Sequence, residues 1–401
     1  MKVNRREFIK ISSISSASLF VPEFIKAFGM QFDARNTNGK KLVIIQLSGG
    51  NDGLNTVVPY RNDLYYKARP GLGLKKEELF ILNDEAGLNN NLEGLADLFN
   101  DGNLAILNNV GYPNPNRSHF RSTDIWQSAS DEKQVLQTGW IGRFLDASCE
   151  GSCAKPHAAI ELDDTLSLAL KGEQMKGLAL RDPRLLHLAT QNQIIRKASA
   201  AHISDHEHPG VEYLYKTLAE TMQSADYLYA QSKIYQTKKV YPNNDFAQRM
   251  KSIAELINSG SDTMIYYVSL GGFDTHAMQK GQQGRMLKMY SEALKVFCDD
   301  LKEKNRFDET LVLSFSEFGR RVKQNAGGGT DHGTANNVFI AGGKLKKASI
   351  LNAMPDLENL DEGDLIYKLD FRQIYASILE NFFQMDHQKI LNHRFDLLNF
   401  I

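Results

Sequence analysis

The segment from residue 317 to residue 332 contains side chains of the types that bind cations. Glu317 directly follows an apolar run, and Asp331 and His332 come after a glycine-rich stretch. A loop that only had to turn could use glycine and asparagine, so ionisable side chains in it indicate a further role. Carboxylate oxygens and imidazole nitrogens are ligands of Zn²⁺ and Mn²⁺ in proteins. The segment therefore predicts part of a cation site.

Residues of the same types follow three other apolar runs of the chain. They are Asp52, the neighbours Ser118 and His119, and the pair Asp274 and His276. In parallel α/β sheets, ligands bind outside the carboxyl ends of the strands. If the runs are strands of one such sheet, these side chains and those of the 317–332 segment meet at one edge. We therefore predict one site that binds Zn²⁺, Mn²⁺ or a related divalent ion.

Ser118 is a candidate nucleophile at this edge. It lies just before a predicted helix, whose positive dipole end also favours an anionic ester. Contact with a cation would lower the pKa of its hydroxyl and make it more nucleophilic. Arg117 and Arg121 flank Ser118 and are candidates to bind the oxyanion of a substrate. Their alternative role is that of solvated charges at the start of a helix.

Several of these residues also have a structural explanation. Asp52 precedes a glycine, which is typical of a turn. Ser118 follows a loop rich in proline and asparagine, where serine is a favoured N-cap. Glu317 has Arg320 and Arg321 close by as partners for an ion pair. We favour the site because four separate strand ends carry such groups.

The elements that must position these side chains are predicted from hydrophobic periodicity. Continuous apolar runs bounded by polar or glycine residues are typical of strands buried on both faces. A helical pattern with one apolar face spans residues 283–304. Strands that alternate with helices predict a layered α/β domain with a mostly parallel sheet. The predicted strands are the runs that begin the segment at 41–59 and those at 104–110, 157–162, 263–270, 310–316 and 337–343.

Residues from about 165 to 260 carry few strand signals and a long helical periodicity, for example at 211–235. We interpret this segment as a helical insertion of the same domain. The run HISDHEH at 202–208 has histidines at a spacing that suggests a metal. It lies just before a proline with no strand end nearby, so we interpret it as an exposed polar linker.

The first residues resemble a twin-arginine export signal. Arg5 and Arg6 precede a mildly apolar, serine-rich segment. Pro22 and Glu23 interrupt that segment, which is too short and too polar for a stable membrane span. We therefore expect residues 1–35 to be an export signal and spacer that engages the Tat translocase. A periplasmic or extracellular location follows from this expectation.

Composition excludes some classes of function. The chain is 42% hydrophobic and 24% charged, with a formal net charge of −1. This balance gives no support to nucleic-acid binding, which usually shows a basic excess. Three cysteines are too few for a disulfide framework, although Cys149 and Cys153 are spaced to close a small loop in an oxidising compartment. Residues 36–401 are long enough for one large domain.

Seven segments in order resemble the DUF1501 family of exported bacterial proteins, whose fold is similar to that of the alkaline phosphatase and sulfatase superfamily. The resemblance implies a three-layer alkaline phosphatase-like α/β domain over nearly the whole chain after residue 40. The segments are LSGGNDGLNTVVPY, NRSHFRSTDIWQS, TGWIGRFLD, GGFDTH, SEFGRR, GGTDHGTANNVFIAGG and DFRQIYASIL.

The resemblance also implies roles for individual residues. The aspartate after the first strand would be Asp52, and the nucleophile would be Ser118, with Ser122 in reserve. The superfamily next has an aspartate and a nearby histidine that bind one metal. These correspond to Asp274 and His276.

The chain departs from the superfamily pattern at its next position. An Asp-His pair is expected there, but the chain has Glu317 followed by Phe318, which cannot be a ligand. Asp331 and His332 would then supply the last histidine, and His119 is the candidate replacement for the missing one. Two ions, one ion and none all stay open at this point.

The function predicted from these residues is that of an exported metal-dependent hydrolase. Its substrate would be a phosphate or sulfate ester of a small molecule or glycan, and its cofactor would be one or two Zn²⁺, Mn²⁺ or Ca²⁺ ions. The alternative is a non-catalytic periplasmic binding or assembly protein that keeps the fold. A transferase that moves phospho-groups onto surface glycans is not distinguished from a hydrolase by these residues.

Overall fold

The computed structural model describes residues 39–148, 155–193, 195–196 and 209–401. The predicted export signal, Cys149, Cys153 and the 202–208 run lie outside the described residues. The strands, in chain order, are β1 (Lys41–Leu47), β2 (Val57–Val58), β3 (Leu79–Ile81), β4 (Gly87–Asn89), β5 (Leu104–Gly111), β6 (Ala159–Glu161), β7 (Leu178–Ala179), β8 (Ile265–Leu270), β9 (Thr310–Phe315), β10 (Asn336–Gly342), β11 (Leu360–Asp361), β12 (Asp364–Leu365) and β13 (Leu369–Asp370).

The α-helices of the described residues include a long one that confirms the helical pattern at 283–304. None of these helices combines the length and apolar character that crossing a membrane requires. The helices are α1 (Asp63–Ala68), α2 (Glu93–Asn100), α3 (His119–Ser128), α4 (Trp140–Ser148), α5 (Pro183–Thr190), α6 (Pro209–Ile234), α7 (Asp245–Asn258), α8 (Gln279–Glu303), α9 (Phe371–Ser377) and α10 (His387–Leu391).

Eight strands form the central sheet, in the order β13-β5-β10-β9-β1-β8-β6-β7. Each of the six predicted runs overlaps one of these strands. Every neighbouring pair is parallel except the two pairs that include β10. The predicted α/β class and mostly parallel sheet are therefore confirmed. The two-residue edge strands β7 and β13 were not predicted, because two residues are too short to show a periodicity.

The reversal of β10 decides where the loop before it lies. The carboxyl ends of β1, β5, β8 and β9 share one edge of the sheet, because these strands run the same way. Asn336 at the amino end of β10 pairs with Val110 near the carboxyl end of β5. The loop of residues 316–335 therefore begins and ends at this same edge. Glu317 and His332 are both brought there by that topology.

Both faces of the sheet are covered, which gives three layers. In β1, Leu42 and Ile44 pack in one hydrophobic cluster, while Val43 and Ile45 pack in another. The first cluster contains residues of α3, α4 and α9, and the second contains residues of α2, α7 and α8. Alternate residues of a strand point to opposite faces. The continuous apolar run of β1 is therefore explained by burial on both sides.

The described residues between about 165 and 260 contain more helix than strand. They contribute α5, α6 and α7, and also the edge strand β7. The side chains of Ile253 and Leu256 in α7 are fully buried in the second cluster. The segment thus contributes to the layers themselves. The division of the chain into an export signal and one domain stays a prediction.

Glu161 at the end of β6 gives the stability of the protein a specific pH dependence. Its side chain is buried, and its Oε2 accepts a hydrogen bond from the Ser167 backbone N–H at 2.6 Å. Burial raises the pKa of Glu161 to about 7. The folded state therefore holds this proton more tightly than the unfolded chain. The proton on Glu161 contributes its full share of the stability at pH values below the pKa of this residue in the unfolded chain. That contribution is lost as the pH rises toward 7.

We expect Glu161→Gln to remove this dependence, because the amide is neutral at every pH. Its free energy of unfolding should exceed that of the wild type by ~3 kcal/mol at pH 8. Urea unfolding from pH 4 to pH 8 measures the difference. At pH 4 the two proteins should be equally stable. If the free energies of unfolding of the two proteins differed by the same amount at every pH from 4 to 8, burial of a proton on Glu161 would be contradicted.

Candidate metal centre

Three imidazoles and a carboxylate converge at the carboxyl edge of the sheet. His119 begins α3, Asp274 and His276 follow β8, and His332 lies in the loop between β9 and β10. His276 Nε2 is 3.0 Å and His332 Nε2 is 3.2 Å from Asp274 Oδ1. His119 Nε2 is 3.5 Å from the other oxygen, Oδ2. We call these four residues the imidazole cluster.

The second ring nitrogen of each imidazole contacts an oxygen acceptor. These oxygens accept hydrogen bonds, so in each neutral ring Nδ1 carries the hydrogen and Nε2 keeps its lone pair. All three lone pairs are thereby directed toward Asp274. The contacts of Nδ1 are 2.9 Å from His119 to Glu317 Oε1, 3.2 Å from His276 to Asp331 Oδ1, and 2.9 Å from His332 to the carbonyl oxygen of Arg117.

This arrangement fits a metal ion. His276 Nε2 and His332 Nε2 lie 3.0 Å apart, and two lone pairs at that distance repel unless a proton or a cation is shared between them. His119 Nε2 is buried and has no hydrogen-bond partner. His119, Asp274 and His332 each offer a ligand atom within 4.8 Å of the others. Imidazole nitrogen and carboxylate oxygen together suit Zn²⁺ or Mn²⁺.

Glu317 supports the cluster from behind. Its side chain is buried, and its Oε1 accepts hydrogen bonds from His119 Nδ1 and from the Gly49 backbone N–H at 2.8 Å. The hydrogen bond to Glu317 raises the pKa of His119. Carboxylates in this position orient metal-binding imidazoles. Glu317 thus contacts a candidate ligand, and among the ion pairs of the described residues it pairs with neither Arg320 nor Arg321.

Phe318 stands where the resemblance expects a histidine. Its ring is buried and lies 4.8 Å from the His119 ring and 4.7 Å from the His332 ring, between centroids. The phenyl ring therefore packs against two imidazoles of the cluster. Asp331 also acts on an imidazole, because its carboxylate accepts from His276 Nδ1. Hydrogen bonds from Asn325 and His276 lower the pKa of Asp331.

Arg320 lies beneath Asp274 and was not predicted to belong to the site. Its fully buried guanidinium donates to Asp274 Oδ1 at 2.7 Å. Burial alone would raise the pKa of Asp274, but the hydrogen bond from Arg320 and the positive charge of its guanidinium outweigh burial and lower the pKa to about 2. The only signal in the sequence is the position of Arg320 three residues after Glu317. Its remaining acceptors are the carbonyl oxygens of Gly49, Gly50, Phe273 and Thr330.

Asp52 is not brought to the imidazole cluster. Its carboxylate is fully buried, and Oδ2 accepts from Arg69 Nη1 and Gln279 Nε2, both at 2.5 Å. Asp52 belongs to no group of three or more potential metal ligands among the described residues. The physical reason is that a buried carboxylate requires a charged partner, which Arg69 supplies. The structure therefore does not bring Asp52 together with the other predicted metal ligands.

Ser118 lies beside the cluster and is exposed. Its hydroxyl makes no hydrogen bond that caps α3, in contrast to the structural alternative. The residues on either side of it both contact the cluster, Arg117 through its carbonyl oxygen and His119 through its ring. Ser122, the reserve nucleophile, is buried, and its hydroxyl donates to the Asn116 carbonyl at 2.5 Å. Ser118 is therefore the more available hydroxyl.

The two arginines beside Ser118 have partners within the protein. Arg121 Nη2 donates to the carbonyl oxygens of Asp131, Glu132 and Gln134. Arg117 Nη2 pairs with a carboxylate oxygen of the buried Asp364, and 40% of the Arg117 side chain stays exposed. Arg121, a candidate for substrate binding, thus binds the loop that follows its own helix. Arg117 is shared between Asp364 and solvent.

Glycines allow the loops around the cluster to pack closely. Gly49 has a φ of +116°, and a Cβ there would lie 2.5 Å from the backbone nitrogen of Asp274. A Cβ on Gly329 would lie 2.4 Å from the carbonyl carbon of His276. The glycine-rich loop before Asp331 is thus a packed element of the site. Periodicity predicts only that such glycines end a strand or form a turn.

The fold and the site define a mixed α/β protein with a candidate metal centre at the carboxyl edge of its sheet. The chain belongs to the family described as Protein of unknown function (DUF1501), whose family model matches residues 104–396. The matched residues include the whole imidazole cluster and Ser118. No curated protein matches the chain.

Solved structures with partial similarity include three bacterial proteins. A lipoteichoic acid synthase from Listeria monocytogenes is 9% identical, with 86% of this chain and 73% of that chain covered and a TM-score of 0.37. The C-terminal periplasmic domain of EcEptC from Escherichia coli is 10% identical, with coverages of 76% and 73% and a TM-score of 0.38. An alkaline phosphatase superfamily protein from Vibrio parahaemolyticus is 11% identical, with coverages of 86% and 70% and a TM-score of 0.36. Similarity at this level carries no information about the activity of this chain.

We expect Gly49→Ala to destabilise the protein and to disturb the cluster. The new Cβ would meet the backbone at Asp274, and the backbone conformation itself is strained for alanine. Gly102→Ala is a matched control, because Gly102 also has a positive φ, of +73°, but no atom within 4 Å of its Cβ position. Thermal or urea unfolding should show a loss of about 1 kcal/mol for the control and of about 3 kcal/mol or more for Gly49→Ala. Equal losses of stability in the two variants would contradict the close approach of the Asp274 backbone to Gly49.

We expect Arg69→Met to lower the free energy of unfolding by about 3–5 kcal/mol, because it leaves the Asp52 carboxylate buried without its charged partner. Arg61→Met is the control, since Arg61 forms an exposed pair with Asp84 at 3.6 Å. That variant should change stability by less than about 1 kcal/mol. The double variant Asp52→Asn/Arg69→Met should recover part of the loss. A small effect of Arg69→Met in urea unfolding would contradict the structural role of the pair.

Proposed function

We propose that the protein is an exported metal-dependent hydrolase of phosphate or sulfate esters with Ser118 as its nucleophile. The observation that carries the proposal is the arrangement of the imidazole cluster. Three Nε2 lone pairs face one carboxylate, and the exposed Ser118 hydroxyl lies between two residues that contact this cluster. A histidine cluster with a purely structural role would satisfy these nitrogens with donors of the protein.

Each residue of the site has a distinct role in this proposal. His119, Asp274 and His332 would hold a divalent ion, and His276 lies in contact with the last two. Glu317 and Asp331 fix the orientation of His119 and His276 through Nδ1. When bound, the ion would polarise an ester oxygen and favour the ionised form of a nearby hydroxyl.

Ser118 would act directly on the substrate. Its Oγ would form a bond with phosphorus or sulfur as the bond to the leaving alcohol breaks, and water would then hydrolyse the seryl ester. The amino end of α3 favours the negative charge of such an ester. Because Ser118 is exposed, its proton can pass to solvent. The ester would be that of a small molecule or a glycan.

Export is part of the proposal and rests on the sequence. Arg5 and Arg6 precede the mildly apolar segment that is typical of a twin-arginine signal. The Tat translocase would carry the folded domain of residues 36–401, and the site of action would be periplasmic or extracellular. Folding before export would allow the ion to be bound in the cytoplasm.

The second candidate function is that of a non-catalytic periplasmic binding or assembly protein. Two observations favour it. Arg121 is committed to its own loop, and Phe318 replaces a ligand that the resemblance expects. A transferase onto surface glycans would use the same site and differs only in the acceptor of the transferred group.

The proposed function is tested with the purified protein in Zn²⁺ or Mn²⁺ and with aryl phosphates and aryl sulfates as substrates. We expect Ser118→Ala to lower kcat on the order of 1000-fold or more, because it removes the nucleophile. His332→Ala should lower both metal content and activity, and a chelator should do the same to the wild type. Release of the aryl alcohol and elemental analysis give the two measurements.

Ser252→Ala serves as a control, because the Ser252 hydroxyl of α7 donates to the Gln248 carbonyl away from the cluster. It should keep full activity. Bound metal without hydrolysis of any ester would favour the binding protein. Full activity of Ser118→Ala would exclude Ser118 as the nucleophile.

A further inference from the structure

Two buried arginines bear on the number of ions that the site can hold. This inference rests on the metal centre of the proposed function. In two-ion hydrolytic centres the ions lie about 3.5–4 Å apart and share ligands. Such a centre here would require ligands beyond the imidazole cluster, and the predicted ones were Asp52, Glu317 and Asp331. The structure gives all three of these carboxylates other partners, which are Arg69, His119 and His276 respectively.

Arg320 already holds one oxygen of Asp274, the carboxylate that two ions would have to share. Its guanidinium is fully buried and donates to Asp274 Oδ1 at 2.7 Å. A guanidinium stays charged at every relevant pH. An ion bound to Oδ1 on that side would therefore lie against a fixed positive charge. The remaining contacts of Arg320 with backbone carbonyls hold the guanidinium in this place.

Arg69 likewise places a guanidinium against one carboxylate oxygen of Asp52. Both side chains are fully buried, and the pair is 2.5 Å apart between Arg69 Nη1 and Asp52 Oδ2. Asp52 Oδ1 has no hydrogen-bond partner, so one oxygen is left. An ion at that oxygen would have one carboxylate ligand and a guanidinium close by. That donor set does not fit a divalent ion, which takes four or more ligands.

The second group of potential ligands in the described part of the chain does not offer a site either. It consists of Glu380, Asp386 and His387. His387 Nδ1 contacts Glu380 Oε1 at 2.7 Å, and His387 Nε2 accepts from the Phe395 backbone N–H at 3.1 Å. Both ring nitrogens are therefore in use within the protein. This histidine holds the C-terminal segment against α10.

We infer that the metal centre is a single-ion centre, in which the guanidinium of Arg320 supplies the fixed positive charge of the second ion and orients Asp274. Arg320 is a positioning residue, because its side chain is buried and reaches the ion through Asp274. One divalent ion and one guanidinium would then stabilise the negative charge of the substrate. The two-ion centre that the resemblance left open does not fit these residues.

The inference is tested on the full chain by titration with Mn²⁺. We expect one equivalent per chain and the electron paramagnetic resonance spectrum of an isolated Mn²⁺ ion. Two equivalents with a spin-coupled spectrum would overturn the single-ion centre and leave the proposed hydrolase intact. No bound metal with Mn²⁺ or Zn²⁺ would overturn both.

Variants separate the roles of the two carboxylates. Asp52→Asn/Arg69→Met replaces both members of the buried pair and should keep one equivalent of Mn²⁺. Asp274→Asn should lose it. If Asp52→Asn/Arg69→Met lost its bound Mn²⁺, Asp52 would be a ligand and the inference would be wrong. Circular dichroism and thermal unfolding show whether each variant is folded.

Arg320→Lys tests the positioning role, since lysine keeps the charge but loses the planar fork of donors. We expect the Kd for Mn²⁺ to rise by about 10–100-fold and the zero-field splitting of the bound ion to change. Arg321→Lys is the matched control, because the neighbouring Arg321 pairs with Asp364 at 3.4 Å. It should leave both quantities unchanged. An unchanged spectrum and affinity in Arg320→Lys would overturn the positioning role.

Discussion

The buried guanidinium of Arg320 joins three segments that are distant along the chain. It donates to carbonyl oxygens after β1, to the backbone and side chain after β8, and to the loop between β9 and β10. A buried charge is tolerated only when its donors are satisfied. The three segments must therefore hold their acceptors in place together. The imidazole cluster takes its geometry from this constraint, because Asp274 lies in one of the segments and His332 in another.

The reversed strand β10 makes this constraint possible. A parallel β10 would start at the opposite edge of the sheet, and its preceding loop would have to cross the molecule. The antiparallel β10 instead keeps residues 316–335 at the edge where the other strands end. Glu317 can then reach His119, and Asp331 can reach His276. Gly49 and Gly329 permit the backbone approaches that this crowded edge requires.

The charges at this edge are divided between two functions. Asp52 and Arg69 form a fully buried ion pair through Oδ2 of the carboxylate. Asp274 keeps about half of its side chain exposed and faces the imidazoles as well as Arg320. The first arrangement stabilises the fold once formed, and the second leaves an anionic oxygen for a ligand. Burial and the nearest charge, rather than residue type, distinguish the two aspartates.

Much of the fold followed from periodicity and composition. The central strands, a helix over 283–304 and the edge at which the polar groups gather were all predicted, and the observed helix spans 279–303. The lengths of apolar runs and the residues that end them carry this information locally. Histidines at strand ends also pointed to His119, His276 and His332, and these three do lie together.

What each carboxylate does was decided only by tertiary structure. Asp52 and Asp274 look alike in the sequence, as residues that follow a strand and adjoin glycine or threonine. Glu317 becomes the partner of His119, which lies 198 positions away, and not of the arginines beside it. The direction of β10 and the placement of Arg320 likewise depend on contacts between distant segments. A pattern along the chain shows at which strand end a charged residue lies. The energy of that charge depends on its burial and on the nearest opposite charge, and both are set only when the chain is folded.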